Sequence, residues 1–140
     1  MKIVINRCYG GFSISEKALY RMAELKGITL YPETGNFGFT TYWTCAEKPD
    51  GILSDVEFYK ASFEDRGKSN DLYTKHTMAL RPDDRSDPDL IKAIEELEEE
   101  ANGKRADLRI IEIPDGIEYT IEEYDGLEHI AEKHRTWGQE

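Results

Sequence analysis

Between Pro88 and Ala101 the chain spells out one face of a helix. Leu90, Ile94, Leu97 and Ala101 recur at helical spacing and Ile91 widens the stripe, while Glu95, Glu96, Glu98, Glu99 and Glu100 take the other face. Asp87 or Ser86 stands where an N-cap belongs. Pro88 suits the first turn, where its missing N–H has no intrahelical partner, and Asn102-Gly103 supplies the stop. A helix this short is not stable alone, so its apolar stripe must cover something. Strand signals on either side supply the surface. Lys2 to Asn6 carries Ile3, Val4 and Ile5 and reads as a strand within a sheet. Leu108 to Ile113 reads as a second strand. After the turn at Pro114-Asp115-Gly116, Ile117, Tyr119 and Ile121 alternate with Glu118, Thr120 and Glu122, which predicts a strand with one buried face. Asp125-Gly126 is a hairpin signal. Residues 127–134 fit two readings: Leu127, Ile130, Ala131 and His134 have helical spacing, whereas the Asp-Gly turn favours a returning strand.

A second helix is expected over 14–26. Ser13 and Glu16 match a capping box, Ile14, Ala18, Leu19, Met22, Ala23 and Leu25 follow near helical spacing, and Gly27 fits a C-terminal cap. Residues 28–80 are less regular. Ile28 to Tyr31, Phe37 to Ala46, Val56 to Tyr59 and Leu72 to Met78 read as short strands. Pro32, Pro49, Gly51 and the run Arg66 to Asn70 read as turns. The expectation is an α+β fold, mainly antiparallel sheet with two principal amphipathic helices at about 14–26 and 88–101. Residues 1–140 form a single domain, with 28–80 a β-rich elaboration of it.

The net charge of -11 disfavours extended nucleic acid and anionic membrane surfaces as partners. A small anionic ligand remains open, because salt screens a distant field over about 8 Å and a local arginine cluster can outweigh it. Two cysteines, Cys8 and Cys45, are too few for a disulfide framework. No apolar run reaches a membrane span, and Met1 to Ile5 is too short for a signal peptide, so a reducing cytoplasm is the expected setting.

No established catalytic motif is present, and no metal or cofactor is expected. Tyr9-Gly10-Gly11-Phe12, between a strand and a helix start, lets a phosphate approach backbone N–H groups, or is simply a tight turn that needs glycine. His134-Arg135-Thr136-Trp137 offers a cation and a stacking ring, or an aromatic that packs on the protein. Arg81 and Arg85 flank a helix start and fit either an anion site or pairing with Asp83, Asp84 and Asp87. Arg105 and Arg109 read as solvated edge charges. His129 and His134 are five apart, which is not the spacing of a helical zinc pair.

The segment Lys2-Ile3-Val4-Ile5-Asn6-Arg7-Cys8-Tyr9-Gly10-Gly11-Phe12-Ser13 resembles the opening of a family of small phage and prophage proteins. So do the blocks Asp87 to Leu90, Ala101 to Gly103, Glu112 to Asp115, Glu123 to Gly126 and His134 to Trp137. These blocks make up roughly half of the chain, and residues 28–80 match nothing in it. The family they resemble is the first Thoeris anti-defence family. That resemblance implies a homo-oligomeric sponge in the host bacterial cytoplasm. Such a protein binds a cyclic ADP-ribose-type immune signal, and in some members cyclic oligonucleotides, without cleaving it. A base needs stacking surfaces and a pyrophosphate needs cations or N–H donors. Arg7, Tyr9, Gly11, Phe12, Arg85, His129, His134, Arg135 and Trp137 are therefore the candidate ligand-binding residues. Two other classes stay open. One is an acidic protein–protein inhibitor or DNA mimic acting on a basic host partner, since residues 86–126 hold 14 acids against 4 bases. The other is an enzyme acting on a small nucleotide.

Overall fold

A computed structural model describes residues 1–35 and 37–133. The order of elements is β1 (Lys2–Asn6), α1 (Glu16–Leu25), β2 (Tyr31–Thr34), β3 (Thr40–Trp43), α2 (Asp55–Lys60), α3 (Phe63–Lys75), β4 (Thr77–Met78), α4 (Pro88–Leu97), β5 (Leu108–Glu112), β6 (Tyr119–Tyr124) and β7 (Leu127–Glu132). Every strand pairing is antiparallel, and the fold is α+β as expected. The chain divides into two compact units, one of residues 1–22 with the chain from Leu80 onward, the other of residues 23–79.

In the first unit β1 is buried from Ile3 to Asn6, which explains an apolar run without alternation. It pairs with β5, Ile3 opposite Ile111 and Ile5 opposite Arg109. Strand alternation then turns Val4 and Asn6 to the other edge. There the Val4 N–H donates to the Arg85 carbonyl (2.9 Å) and the Asn6 N–H to the Glu128 carboxylate (2.8 Å). Helix α4 buries Leu90, Ile91, Ala93 and Ile94, and Asp87 caps it by accepting from the Asp89 N–H at 2.9 Å. At Glu98 (φ 53°) the α-helix stops, and a 3-10 turn over Glu98–Ala101 carries Ala101 into the core. Asp125 (φ 51°) and Gly126 (φ 89°) are both left-handed, as a two-residue hairpin turn requires, so residues 127–132 return as a strand and not a helix. Helix α1 starts two residues later than its expected cap implies. Ser15 Oγ accepts from the Ala18 N–H at 3.1 Å, whereas the Ser13 carbonyl accepts from the Gly103 N–H at 3.0 Å.

The second unit corrects part of the sequence reading. Its three strands run in the order β2-β3-β4, with β2 at the edge, where Pro32 lacks only an N–H that the sheet does not need. Val56 to Tyr59 lies in α2. Of the segment Leu72 to Met78 only Thr77-Met78 is strand, and Arg66 to Asn70 sits inside α3. Local caps decide this. Ser54 Oγ accepts from the Glu57 N–H (3.2 Å) while the Glu57 carboxylate accepts from the Ser54 N–H (3.3 Å). Ser62 Oγ accepts from the Asp65 N–H (3.2 Å). Arg66 then donates to the Phe58 and Tyr59 carbonyls at the end of α2 (2.7 and 2.8 Å), the first of which also accepts from the Ala61 N–H (3.3 Å). These bonds outweigh the weak β preference of Val56, Phe58 and Tyr59.

Gly10 shows how tightly the first unit closes. A Cβ there would stand 2.1 Å from the Arg105 carbonyl oxygen and 2.3 Å from the Arg105 Cβ. Gly116, though at φ 81°, faces open space. Gly10→Ala is therefore expected to destabilise by roughly 2 kcal/mol or more and Gly116→Ala by about 1 kcal/mol, measured by urea unfolding. Equal costs would show that the close approach is not maintained in solution.

Candidate functional site

The loop Tyr9-Gly10-Gly11 leaves β1 and packs backbone against backbone on both sides. Gly10 lies against Arg105, and a Cβ on Gly126 would stand 2.4 Å from the Gly11 nitrogen. Gly10 is required by close approach and Gly11 by its φ of 91°. The glycine pair is thus a structural necessity, and it also fixes an exposed cleft. Tyr9, 69% exposed, stands at this cleft with Arg81, Arg105, Glu123 and Asp125, around a volume of about 650 Å³. Arg81 and Arg105 have no ion pair or hydrogen-bonded partner among the described residues. The Glu123 carboxylate is engaged, accepting from the Gly126 N–H at 3.1 Å. A smaller pocket of about 280 Å³ shares Gly11, Arg81 and Glu123 and reaches Phe12, Arg85 and Glu128.

Arg85 and Glu128 form the floor of that pocket. The guanidinium donates to both carboxylate oxygens (2.8 and 2.9 Å) and to the Val4 carbonyl (3.2 Å), and lies 3.4 Å over the Phe12 ring. The side chains are only 17% and 6% exposed. Burial pushes the Glu128 carboxyl pKa up. The hydrogen bonds from Arg85 and from the Asn6 N–H, with the charge of Arg85, outweigh that and hold it below its ordinary value of 4.5. The expected pairing of Arg85 with neighbouring aspartates does not occur as read. Asp84 instead accepts from the Ser86 N–H and hydroxyl (3.0 and 2.9 Å), and Arg85 reaches across the fold to Glu128.

The other candidates separate from this cleft. Arg7 donates to the Glu128 carbonyl at 2.8 Å, and His129 Nε2 is 3.0 Å from a Glu122 oxygen. Both line a different groove of about 770 Å³, whose walls include six isoleucines from β1, β5, β7 and the turn between β5 and β6. So Tyr9, Gly11, Phe12 and Arg85 are brought together, Arg7 and His129 stand apart from them, and His134, Arg135 and Trp137 lie outside the described residues. Phe12 is 6% exposed and Arg85 is bonded inward, so these two brace the cleft while Tyr9 stands open. Sequence reasoning gave no weight to Arg105 as a ligand group. No local pattern announces it: the structure alone shows Arg105 left-handed (φ 62°) with its backbone against Gly10.

Among the described residues no group of three or more His, Cys, Asp or Glu side chains is gathered as for a metal ion. No helix among them is long and apolar enough to cross a membrane. Comparisons with protein-family models, curated proteins and solved structures return no match. The functional reading therefore rests on this geometry and on the resemblance of the sequence blocks.

Two outcomes follow from the Arg85–Glu128 pair. Removing one partner strands the other, so Glu128→Ala is expected to cost on the order of 3–5 kcal/mol in chemical denaturation. The folded-state pKa of Glu128 lies below the unfolded one. Its contribution is therefore complete above about pH 4.5 and is lost as pH falls through the folded value. Glu128→Gln should lose stability at neutral pH and flatten the acid limb of the stability profile. An acid limb unchanged from the parent protein would contradict this assignment.

Proposed function

We propose that this protein binds a small cyclic nucleotide of the cyclic ADP-ribose type in the cleft at Tyr9, Arg81 and Arg105 and sequesters it intact. The observation that carries the reading is the pair of arginines, without partners among the described residues, beside an exposed tyrosine on a loop fixed by backbone packing. Arginine suits a pyrophosphate because its planar fork donates two parallel hydrogen bonds. The Tyr9 ring offers a face to a base, a contact worth about 1–3 kcal/mol. Asp125 at the same cleft can accept from ribose hydroxyls. The volume falls within the ordinary range for small-molecule sites, roughly 300–1,000 Å³. A cleft braced by Gly10 against Arg105 and by Gly126 against Gly11 needs little ordering on binding, which favours tight capture.

This reading agrees with the resemblance to the phage anti-defence sponges, whose ligands are bacterial immune signals, and places the action in the host cytoplasm. The DNA-mimic alternative has less support. Three of the acids on and just after α4 are met by cations of the same unit, Glu95 by Lys2 (3.2 Å), Glu96 by Arg21 (2.6 Å) and Glu100 by Lys17 (2.9 Å). A phosphate ladder would be imitated by unpaired acids.

Titration calorimetry with cyclic ADP-ribose tests the proposal. Binding should weaken at least about tenfold, 1.4 kcal/mol, for each of Arg81→Ala, Arg105→Ala and Tyr9→Ala. Heat denaturation of the complex should return unchanged ligand. A cleaved product, or undiminished affinity in both arginine variants, sinks the reading.

A further inference from the structure

A second opening of the first unit lies apart from the Tyr9 cleft, the groove of about 770 Å³ between the β1–β5 ribbon and the β6–β7 hairpin. Six isoleucines line it, and of these Ile5 alone is buried. Ile111 is 37% exposed, and Ile110, Ile113, Ile117 and Ile130 are half-buried. Ile117 and Tyr119 line the groove while Glu118 and Thr120 are exposed, so strand alternation builds an apolar wall that stays partly open. Contiguous apolar surface left open on a folded unit marks a binding site. The two ends of the groove differ in charge. At one end Arg7 bridges the two ribbons, its N–H donating to the Asp107 carbonyl and its Nη1 to the Glu128 carbonyl, both at 2.8 Å. Arg109 and His129 stand there too, but Asp107 meets Arg109 and Glu122 meets His129, each at 3.0 Å. Arg7 has no carboxylate partner among the described residues, and its Nη1 bond leaves other guanidinium N–H groups to give. The turn at 114–116 joins Ile113 to Ile117, so these two mark the far end, where Glu132 stands opposite Tyr119.

We infer that this groove binds an aliphatic monocarboxylate, a fatty acid, with its head at Arg7 and its chain along the isoleucines. One guanidinium without a carboxylate matches one negative charge, and its fork gives a carboxylate two parallel hydrogen bonds. An ammonium head would meet that same positive charge. A second carboxylate at the far end would meet Glu132, so a dicarboxylate fits less well. Between the two ends the wall is isoleucine with Pro114 and Tyr119, which suits a chain without polar groups. From Asp107 to Ile113 the strand direction covers roughly 20 Å at about 3.4 Å per residue, enough to lay an extended chain of about ten carbons beside it. The volume lies within the ordinary range for small-molecule sites. Acids elsewhere on the surface are screened by salt over about 8 Å, so the head responds to Arg7 and its neighbours first. The inference does not depend on the nucleotide reading, whose cleft shares none of these residues.

Titration calorimetry of the full chain with decanoate tests it. Saturable binding is expected at about 100 µM or tighter, and octanoate, two methylenes shorter, should bind about tenfold more weakly. Decylamine and decanedioate should each bind at least about tenfold more weakly than decanoate. Arg7→Gln should weaken decanoate binding at least about tenfold, whereas Lys75→Gln, the same loss of charge in the other unit, should not. Glutamine keeps an N–H for the Glu128 carbonyl, and circular dichroism should show an unchanged fold. Ile111→Asp, at a side chain already exposed, sets an acid in the wall and should weaken binding by a similar factor with Arg7 intact. Cyclic ADP-ribose should not displace decanoate. Absence of saturable decanoate binding overturns the inference. So does decylamine binding as tightly as decanoate, full affinity in either folded variant, or displacement by cyclic ADP-ribose. Sedimentation as a dimer that takes up no decanoate overturns it in favour of a second copy of the chain as the occupant.

Discussion

The outer edge of β1 is closed by an ion pair where a strand would ordinarily stand, and the first unit is arranged around that substitution. Arg85 gives its backbone carbonyl to Val4 and its guanidinium to Glu128, while Glu128 gives one carboxylate oxygen to the Asn6 N–H. A buried pair is a poor source of stability when its groups are half satisfied, since desolvation can exceed the Coulombic gain. Here the carboxylate accepts from two guanidinium nitrogens and an amide, and the guanidinium faces a carbonyl and an aromatic ring as well. Satisfied to that degree, the pair holds three segments far apart in sequence at fixed separation.

Asn6 extends the same network towards the cleft. It is fully buried, and its side-chain amide donates to the Cys8 and Gly126 carbonyls while its oxygen accepts from the Asp107 N–H. One side chain thus ties the loop after β1, the hairpin turn and the start of β5. Gly10, Gly11 and Gly126 can then meet without side chains between them. The exposed positions of Tyr9, Arg81 and Arg105 are consequences of that closure. Because Arg85 is held inward by Glu128, its guanidinium is not offered at the mouth beside Arg81 and Arg105.

What was legible in the sequence is what depends on near neighbours. The helix over 88–101, its Asp87-Pro88 start, the strand at β1 and the Asp125-Gly126 hairpin each follow from residues within a few positions, and each forms. The strands read at Val56 to Tyr59 and at Leu72 failed for a local reason too. Ser54 with Glu57 is a capping box that starts the helix over Val56 to Tyr59, and Ser62 caps the helix that takes in Leu72. The site was less legible. Arg85 and Glu128 are 43 residues apart, and nothing near either one announces the other. The glycine pair was noticed, but the partner that makes Gly10 obligatory is the Arg105 backbone, which no local pattern links to it. Ligand candidates chosen by residue type therefore mixed open groups such as Tyr9 with bracing groups such as Phe12 and Arg85.

The net charge of -11 is compatible with the proposed anionic ligand because the acids are not spread evenly over the electrostatics that matter. Those facing Lys2, Lys17 and Arg21 are locally compensated, and fields from the rest are screened by salt over about 8 Å. At the cleft the balance is set by what remains free. Glu123 accepts from the Gly126 N–H and keeps its charge, so Glu123 and Asp125 balance Arg81 and Arg105 in formal charge. Two arginines balanced by two carboxylates leave the lining formally neutral within an acidic protein, so the proposed ligand would meet arginine donors there without the net repulsion of the surface as a whole. On the proposed reading a compact dianion is better suited than a nucleic acid, which must lay many phosphates along the surface and meets acid beyond the cleft.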